Sequence, residues 1–159
     1  EKMLISGVAK DDNIARISII GVPDKPGLAF RIFSKLSQKN INVDIILQSI
    51  GRNGTKDISF TVEKDKMDSA IEILESYVET LGASSVVSDD NVAKVSIVGS
   101  GMESHPGVAP DMFEALFDAN VNIQMISTSE IKISVLIEKQ DANKAVAAIH
   151  AKFFEQVQQ

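Results

Sequence analysis

The sequence has no cysteine, no tryptophan, one tyrosine and only two histidines, His105 and His150, among its 159 residues. Without thiols there are no disulfides, no thiol nucleophile and no thiolate metal site, and two histidines far apart in sequence form no ligand cluster. Metal binding is not expected. No apolar run approaches the roughly 20 residues needed to cross a bilayer, and the N-terminus has no basic flank leading into a hydrophobic segment, so a cytoplasmic protein without a membrane partner is expected. The net charge of -6 repels phosphate backbones, and no Lys/Arg cluster interleaves with aromatics, which makes nucleic acid a poor partner. A Gly-rich phosphate loop with a lysine is missing, as is any nucleophile and base constellation, so the chain alone is not expected to be an enzyme.

What is present is a 44% hydrophobic composition, enough for one ordinary domain or two small ones. The stretch Gly21-Val22-Pro23-Asp24-Lys25-Pro26-Gly27-Leu28-Ala29 leaves the strand-like run Arg16 to Ile20 and enters a helix-like one, in which Ala29, Ile32, Phe33 and Leu36 recur at helical spacing to about Asn40. A helix starting at or just after Gly27 offers backbone N–H groups without intrahelical partners at the positive end of its dipole, and these suit a carboxylate. Asp24 adds a negative charge at the same rim. A free amino acid, with its ammonium and carboxylate, matches both poles; the alternative is a plain Pro-Gly turn in which Asp24 caps its own backbone.

The elements that follow can be read in order. Ile41 to Ile50 reads as a strand with Val43, Ile45 and Leu47 on one face and Asp44, Ile46 and Gln48 on the other. Asn53-Gly54 marks a tight hairpin, with Asp57 to Glu63 as the returning antiparallel strand. Asp65 is a candidate cap for a helix carrying Met67, Ala70, Ile71, Leu74, Tyr77, Val78 and Leu81 on one face, and Gly82 is its stop. Ser84 to Ser88 is a last strand. The unit is βαββαβ.

The pattern then restarts. Ala93 to Gly99 echoes Ala15 to Gly21 at a shift of 78, and Pro106-Gly107-Val108-Ala109 echoes Pro26-Gly27-Leu28-Ala29 at a shift of 80, which also pairs Phe33 with Phe113, Leu36 with Leu116, and Asn40-Ile41-Asn42 with Asn120-Val121-Asn122. Past the hairpin the shift falls to 75, so the second hairpin turn is five residues shorter and has no Asn53-Gly54 counterpart. Phe153 to Gln159 is too short and polar for a final strand. Met3 to Val8 is expected to complete the sheet of the second repeat, giving domains of residues 15–91 and of 92–159 plus 1–14, the first inserted into the second.

Gly21-Val22-Pro23-Asp24-Lys25-Pro26-Gly27, Asn40-Ile41-Asn42-Val43-Asp44, Leu47-Gln48, Ser104-His105-Pro106-Gly107-Val108 and Ile126-Ser127-Thr128-Ser129-Glu130-Ile131 occur in this order over essentially the whole chain. In this the sequence resembles the regulatory region of aspartate kinases, the tandem ACT domains that also occur as a separate small subunit. The resemblance implies a ferredoxin-like α/β fold of two βαββαβ domains with antiparallel four-stranded sheets. It implies a non-catalytic sensor that binds threonine, lysine or both and conveys feedback inhibition to a catalytic domain or alpha subunit, whose ATP-dependent reaction phosphorylates the aspartate side chain. It also implies a homodimer in which the first domain of one chain lies beside the second of the other, with amino acids bound at those interfaces. Carried over residue by residue, a threonine-type site would use Asp24 for the ammonium, Pro26, Gly27 and Ala29 around the carboxylate, and Gln48, with Asn122 and Ile123 from the facing domain. A lysine-type site would use Asp44, Ser129 and Glu130. The sequence departs from relatives with a threonine site at Ala109, where threonine is frequent, and this removes a hydroxyl. A stand-alone amino-acid sensor acting on a different enzyme is the alternative.

Overall fold

A computed structural model of the chain describes residues 4–155, and the expectations placed on Met3 and on 156–159 lie outside them. The order is β1 (Leu4–Asp11), β2 (Ile14–Pro23), α1 (Leu28–Gln38), β3 (Ile46–Gln48), β4 (Thr55–Glu63), α2 (Met67–Glu75), α3 (Val78–Leu81), β5 (Ser85–Asp89), β6 (Val92–Ser100), α4 (Val108–Asp118), β7 (Met125–Thr128), β8 (Lys132–Glu138) and α5 (Ala142–His150). The strands form two antiparallel four-stranded sheets ordered β3-β4-β2-β5 and β1-β6-β8-β7. One compact unit is Asn13–Asp90; the other joins the residues up to Asp12 to those from Asn91 onward. No helix among the described residues is long and apolar enough to cross a membrane.

In the first unit Ala15, Ile17 and Ile19 of β2 and Ile58, Phe60 and Val62 of β4 alternate onto one sheet face, where Leu28, Ile32 and Leu36 of α1 and Ala70 and Leu74 of α2 cover them. Phe33 meets the fully buried Phe60 edge-on at 5.4 Å, a geometry that contributes about 0.5–1.5 kcal/mol beyond the area buried. The second unit repeats this with Val95, Ile97, Ile133, Val135 and Ile137 beneath Met112, Leu116, Ala145 and Ile149, and Ile5 and Val8 of β1 pack on the same cluster. On the opposite sheet faces a cross-strand hydroxyl pair recurs at the same register, Ser18 with Ser59 and Ser96 with Ser134, each at 2.7 Å.

Both α1 and α4 stop in the same way. Asn40 and Asn120 sit in the left-handed region (φ 59° and 60°), and the next residues, Ile41 and Val121, return N–H bonds to the carbonyls of Leu36 and Leu116 while burying their side chains. This helix end corrects the strand expected over Ile41 to Ile50. Ile41 belongs to the cap, Val43 packs on the core cluster, and only Ile46–Gln48 pairs as a strand. The shared face expected for Asp44 and Gln48 therefore does not exist, because Asp44 precedes the strand. The Asn53-Gly54 hairpin is present, with positive φ at both residues and Arg52 and Thr55 exchanging backbone bonds. The expected helix over Met67 to Leu81 is broken at Ser76 and Tyr77, and Tyr77 lies 4.3 Å beneath the Lys35 ammonium of α1. Asp65 does not cap it: a 3₁₀ turn at Lys64–Lys66 leads in, Lys66 is the cap residue, and no side chain bonds there. Gly82 does terminate the segment, at φ 77°.

In the second unit the five residues after α5, Ala151–Glu155, form a π turn that reaches α4 through a Lys152 to Glu114 ion pair. The hydrogen bond from Lys152, and then its charge, lowers the Glu114 pKa, while the same bond raises that of Lys152. The pair accordingly stabilises the fold above the ordinary glutamate range, and its contribution is lost as pH falls through the depressed Glu114 value; at the alkaline end it is lost as pH rises through the raised Lys152 value. An NMR titration should find the Glu114 midpoint below the usual glutamate value and returned toward it in Lys152→Met.

Along β1, residues Leu4 to Asp11 pair with β6 from Ser100 back to Lys94. Deleting residues 1–9 should remove amide-exchange protection from β6 and β8 while leaving β2 and β4 protected. Equal loss from both sheets would contradict this dependence.

Candidate functional site

The first loop is shaped by a bulge. The pairing of β2 with β4 slips between Ile19 and Val22, where Gly21 takes φ 70° and donates its N–H to the Asp57 carboxylate at 3.0 Å instead of to a backbone carbonyl. A side chain at Gly21 would collide with Ser84, whose Oγ lies 2.4 Å from the position of a Cβ. Beyond the bulge the hairpin takes over: Asp24 N–H bonds the Gly54 carbonyl at 2.8 Å, and Asp57 N–H and Ser49 Oγ pair at 2.9 Å. The hairpin holds the loop in place.

Gly27 is the N-cap of α1 at φ 91°, and a Cβ there would meet nothing within 4 Å, so the approach to the helix start is open. Neither a side chain caps α1 nor an acid sits in its first turn; Arg31 does instead. The Arg31 N–H bonds the Gly27 carbonyl, and the earlier N–H groups, those of Leu28, Ala29 and Phe30, are left for an outside acceptor at the positive end of the dipole, an arrangement worth about 0.3–1 kcal/mol for an anion at an exposed site.

Asp24 is 44% exposed and its Oδ1 lies 3.3 Å from Lys56 Nζ. Its carboxylate rests on the backbone of Gly51, where a Cβ would come 1.9 Å from Oδ2 and 2.7 Å from Cγ. The register puts Lys56 opposite Val22 and Gln48 opposite Ile58. Val22 and Ile58 both face the helices, so Gln48 and Lys56 also lie on the helix side of the sheet, at the end where the loop emerges. Asp24, Pro26, Gly27 and Ala29 are thus gathered in one loop and helix start, with Gln48 exposed on the edge strand β3, three residues before Gly51.

The other expected residues are distributed differently. Asn122 and Ile123 belong to the second unit, in the connection between α4 and β7, with Asn122 exposed and Ile123 partly buried on the core cluster. Ser129 and Glu130 follow β7 in that same unit, both exposed, and Ser129 lines a recess of about 230 Å³ with Met102, His105, Pro106, Val108, Ala109 and Thr128. Asp44 is exposed in the first unit, and its N–H bonds the Thr61 carbonyl. Neither residue set is brought together within one unit.

The second loop is built otherwise from the same ancestor. Gly99 N–H bonds a backbone carbonyl, that of Ile131. The two extra residues go into a 3₁₀ turn, Met102–Ser104, which sinks Met102 into the core cluster, and His105 Nδ1 bonds the Gly101 carbonyl at 2.8 Å. Val108 N–H is already bonded to the His105 carbonyl, and Asp111 stands in the first turn of α4 at the place of Arg31 in α1. The positive end of α4 is compensated from within, whereas that of α1 is open.

Two residues of this site escaped the sequence reading, Gly51 and Lys56. A signal did exist: the five extra hairpin residues and the loop aspartate occur in the same repeat and are missing from the other. Among the described residues no group of three or more His, Asp or Glu is placed to hold a metal ion.

Comparison with known proteins identifies the assembly. A family model described as ACT domain matches residues 17–77 and 95–153. The chain is 50% identical over 153 residues to an aspartate kinase of Pseudomonas fluorescens and 48% identical over 153 residues to one of Stutzerimonas stutzeri; each match covers 96% of this chain and 37% of the relative, so the chain spans little more than a third of their length. Among solved structures it is similar to aspartokinase alpha and beta subunits (48% identity, TM-score 0.88) and to the ligand-free regulatory subunit of aspartate kinase from Thermus thermophilus (40% identity, TM-score 0.89), each match covering 94% of this chain and 98% of the other. The two repeats are ACT domains, and the chain belongs to the regulatory regions of the aspartate kinase family.

Proposed function

We propose that the chain senses end-product amino acids, threonine, lysine or both, and imposes feedback inhibition on an aspartate kinase catalytic domain or alpha subunit that phosphorylates the aspartate side-chain carboxylate with ATP. One observation carries the reading: an uncapped helix start, free of acids and flanked by Arg31, adjoins the Asp24 carboxylate in one loop. These two poles complement the carboxylate and ammonium of an α-amino acid, and Gln48 adds a neutral hydrogen-bonding group on the same side of the sheet. Asn122 and Ile123 would enter from the second repeat of another copy in a homodimer, and Asp44 with Ser129 and Glu130 would suit a ligand carrying a second ammonium. A stand-alone sensor acting on a different enzyme would use the same loop; activity assays with an aspartate kinase catalytic chain separate the two readings.

A sensor working at micromolar to millimolar metabolite needs about 4 to 8 kcal/mol of binding free energy. Charge-assisted hydrogen bonds at about 1.5–3 kcal/mol each make that attainable with three or four contacts. Saturating threonine or lysine should raise the thermal midpoint of the purified chain, by an amount corresponding to about 2.7 kcal/mol at a hundredfold excess over Kd. Asp24→Asn should weaken binding about 10- to 100-fold, and Gln48→Ala should weaken it less. If no common amino acid shifts the midpoint, the sensor reading fails.

The contact at Gly51 gives an indirect version of the same test. Gly51→Ala cannot keep the Asp24 carboxylate where it lies, so calorimetry should show weakened binding while circular dichroism and the melting point of the free protein stay close to the parent values. Unchanged affinity would mean that the resting place of Asp24 is not the one used in binding.

A further inference from the structure

Lys56 is positioned by three independent features. It follows the hairpin turn found only in the first repeat, its register opposite Val22 puts it on the helix side of the sheet, and its side chain is only 19% exposed with Nζ 3.3 Å from Asp24 Oδ1. A primary ammonium thus already occupies the carboxylate that the amino-acid reading assigns to the ligand's ammonium. We propose that Lys56 is a tethered competitor for the effector: an α-amino acid enters the first loop by exchanging its own ammonium for that of Lys56 on Asp24. The inference rests on the reading of this loop as an amino-acid site.

The geometry favours exchange over joint occupation. The Asp24 backbone N–H is held by Gly54, and its carboxylate has Oδ2 toward Gly51 and Oδ1 on Lys56, so an incoming ammonium meets a carboxylate whose two oxygens are both already in contact. Lys56 has somewhere to go, since Ser49, Ile50, Arg52, Thr55, Lys56 and Asp57 line an adjoining groove of about 440 Å³. A lysine on four flexible methylenes can leave at little cost in strain. Exchange also selects among ligands: a carboxylic acid without an α-ammonium cannot replace Lys56 on Asp24, so it would leave that ion pair intact and gain only the helix end.

The charge bookkeeping gives a signature. In the parent protein one ammonium–carboxylate pair is broken for each one made, so this part of the equilibrium is nearly insensitive to salt. Without the Lys56 charge, binding creates a new pair and weakens as salt rises.

Calorimetric titration of threonine and of lysine into the purified parent chain, Lys56→Met, Lys56→Arg and Asp24→Asn, at low and high salt, tests the proposal. Met keeps the aliphatic stem and removes the charge. Lys56→Met should bind about two- to fivefold more tightly at low salt, which is what a partly exposed ion pair is worth, and its affinity should fall more steeply with salt than the parent's. Lys56→Arg should stay close to the parent. Binding that depends on Asp24 but is unchanged or weaker in Lys56→Met overturns the exchange while leaving the amino-acid site standing. If neither the parent nor Lys56→Met binds either amino acid, or if Asp24→Asn binds as well as the parent, the amino-acid reading of the loop fails and the exchange with it.

Discussion

The ladder between β1 and β6 is the constraint on which the chain's organisation depends. A helix pair with one apolar stripe needs a sheet face wide enough to cover, and after Asn91 the described residues contribute three strands, β6, β8 and β7. The missing edge comes from the other end of the sequence, where Leu4 to Asp11 pairs along β6 and adds Ile5 and Val8 to the core. A unit of this size buries a modest fraction of its surface, so an absent strand is a large loss. The first repeat closes with its own β5 and sits as an insertion between Asp12 and Asn91.

Within that shared scaffold the two repeats spend their loops differently. In the first, a left-handed glycine and a long hairpin hold a charged side chain out of the core, and the helix start is left uncompensated. In the second, the extra loop residues bury Met102, and Asp111 neutralises the helix end. The contrast also shows in how each unit ties its helices: Lys35 of α1 lies over Tyr77, whereas Lys152 pairs with Glu114 of α4. Positions 77 and 152 correspond under the shift of 75, so the second tie places a charge where the first has a ring. Structural roles were interchangeable between the repeats, while the polar end of the first loop has no duplicate.

Much of this architecture was legible because its signals are periodic or local. Ala29, Ile32, Phe33 and Leu36 recur as a helix must, Asn53-Gly54 specifies its turn through positive φ, and the echo of Gly21 to Ala29 at Gly99 to Ala109 announces duplication. The errors have physical reasons. Ile41 to Ile50 alternates like a strand, but Ile41 is consumed by the helix cap and Val43 by the core, so burial there follows loop geometry instead of a pleat. Asp65 precedes an apolar helical face as a cap would, yet a 3₁₀ turn displaces the helix start past it. For the site, Asp24 and Gly27 could be read because their chemistry is local. Lys56 and Gly51 were marked only indirectly, by the hairpin extension that accompanies the loop aspartate, because their contacts with Asp24 arise only when β4 pairs with β2 across a bulge.

The charges at the first loop also constrain what a bound amino acid could change. If one ammonium replaces another on Asp24, the loss of the Lys56 pair offsets part of what the ligand's ammonium gains there, and discrimination among amino acids falls to the ligand's side chain. What the exchange does supply is a change of partner for a residue of β4, a central strand bonded to β2 and β3. Coupling to a distant site requires only about 1 to 3 kcal/mol, a fraction of the 4 to 8 kcal/mol that the effector has to contribute in binding. A loop that binds through its helix end and releases a lysine from its carboxylate separates these two tasks. On this proposal Asp24 and the start of α1 would share the affinity, and the conformational consequence would begin in the hairpin that the second repeat lacks.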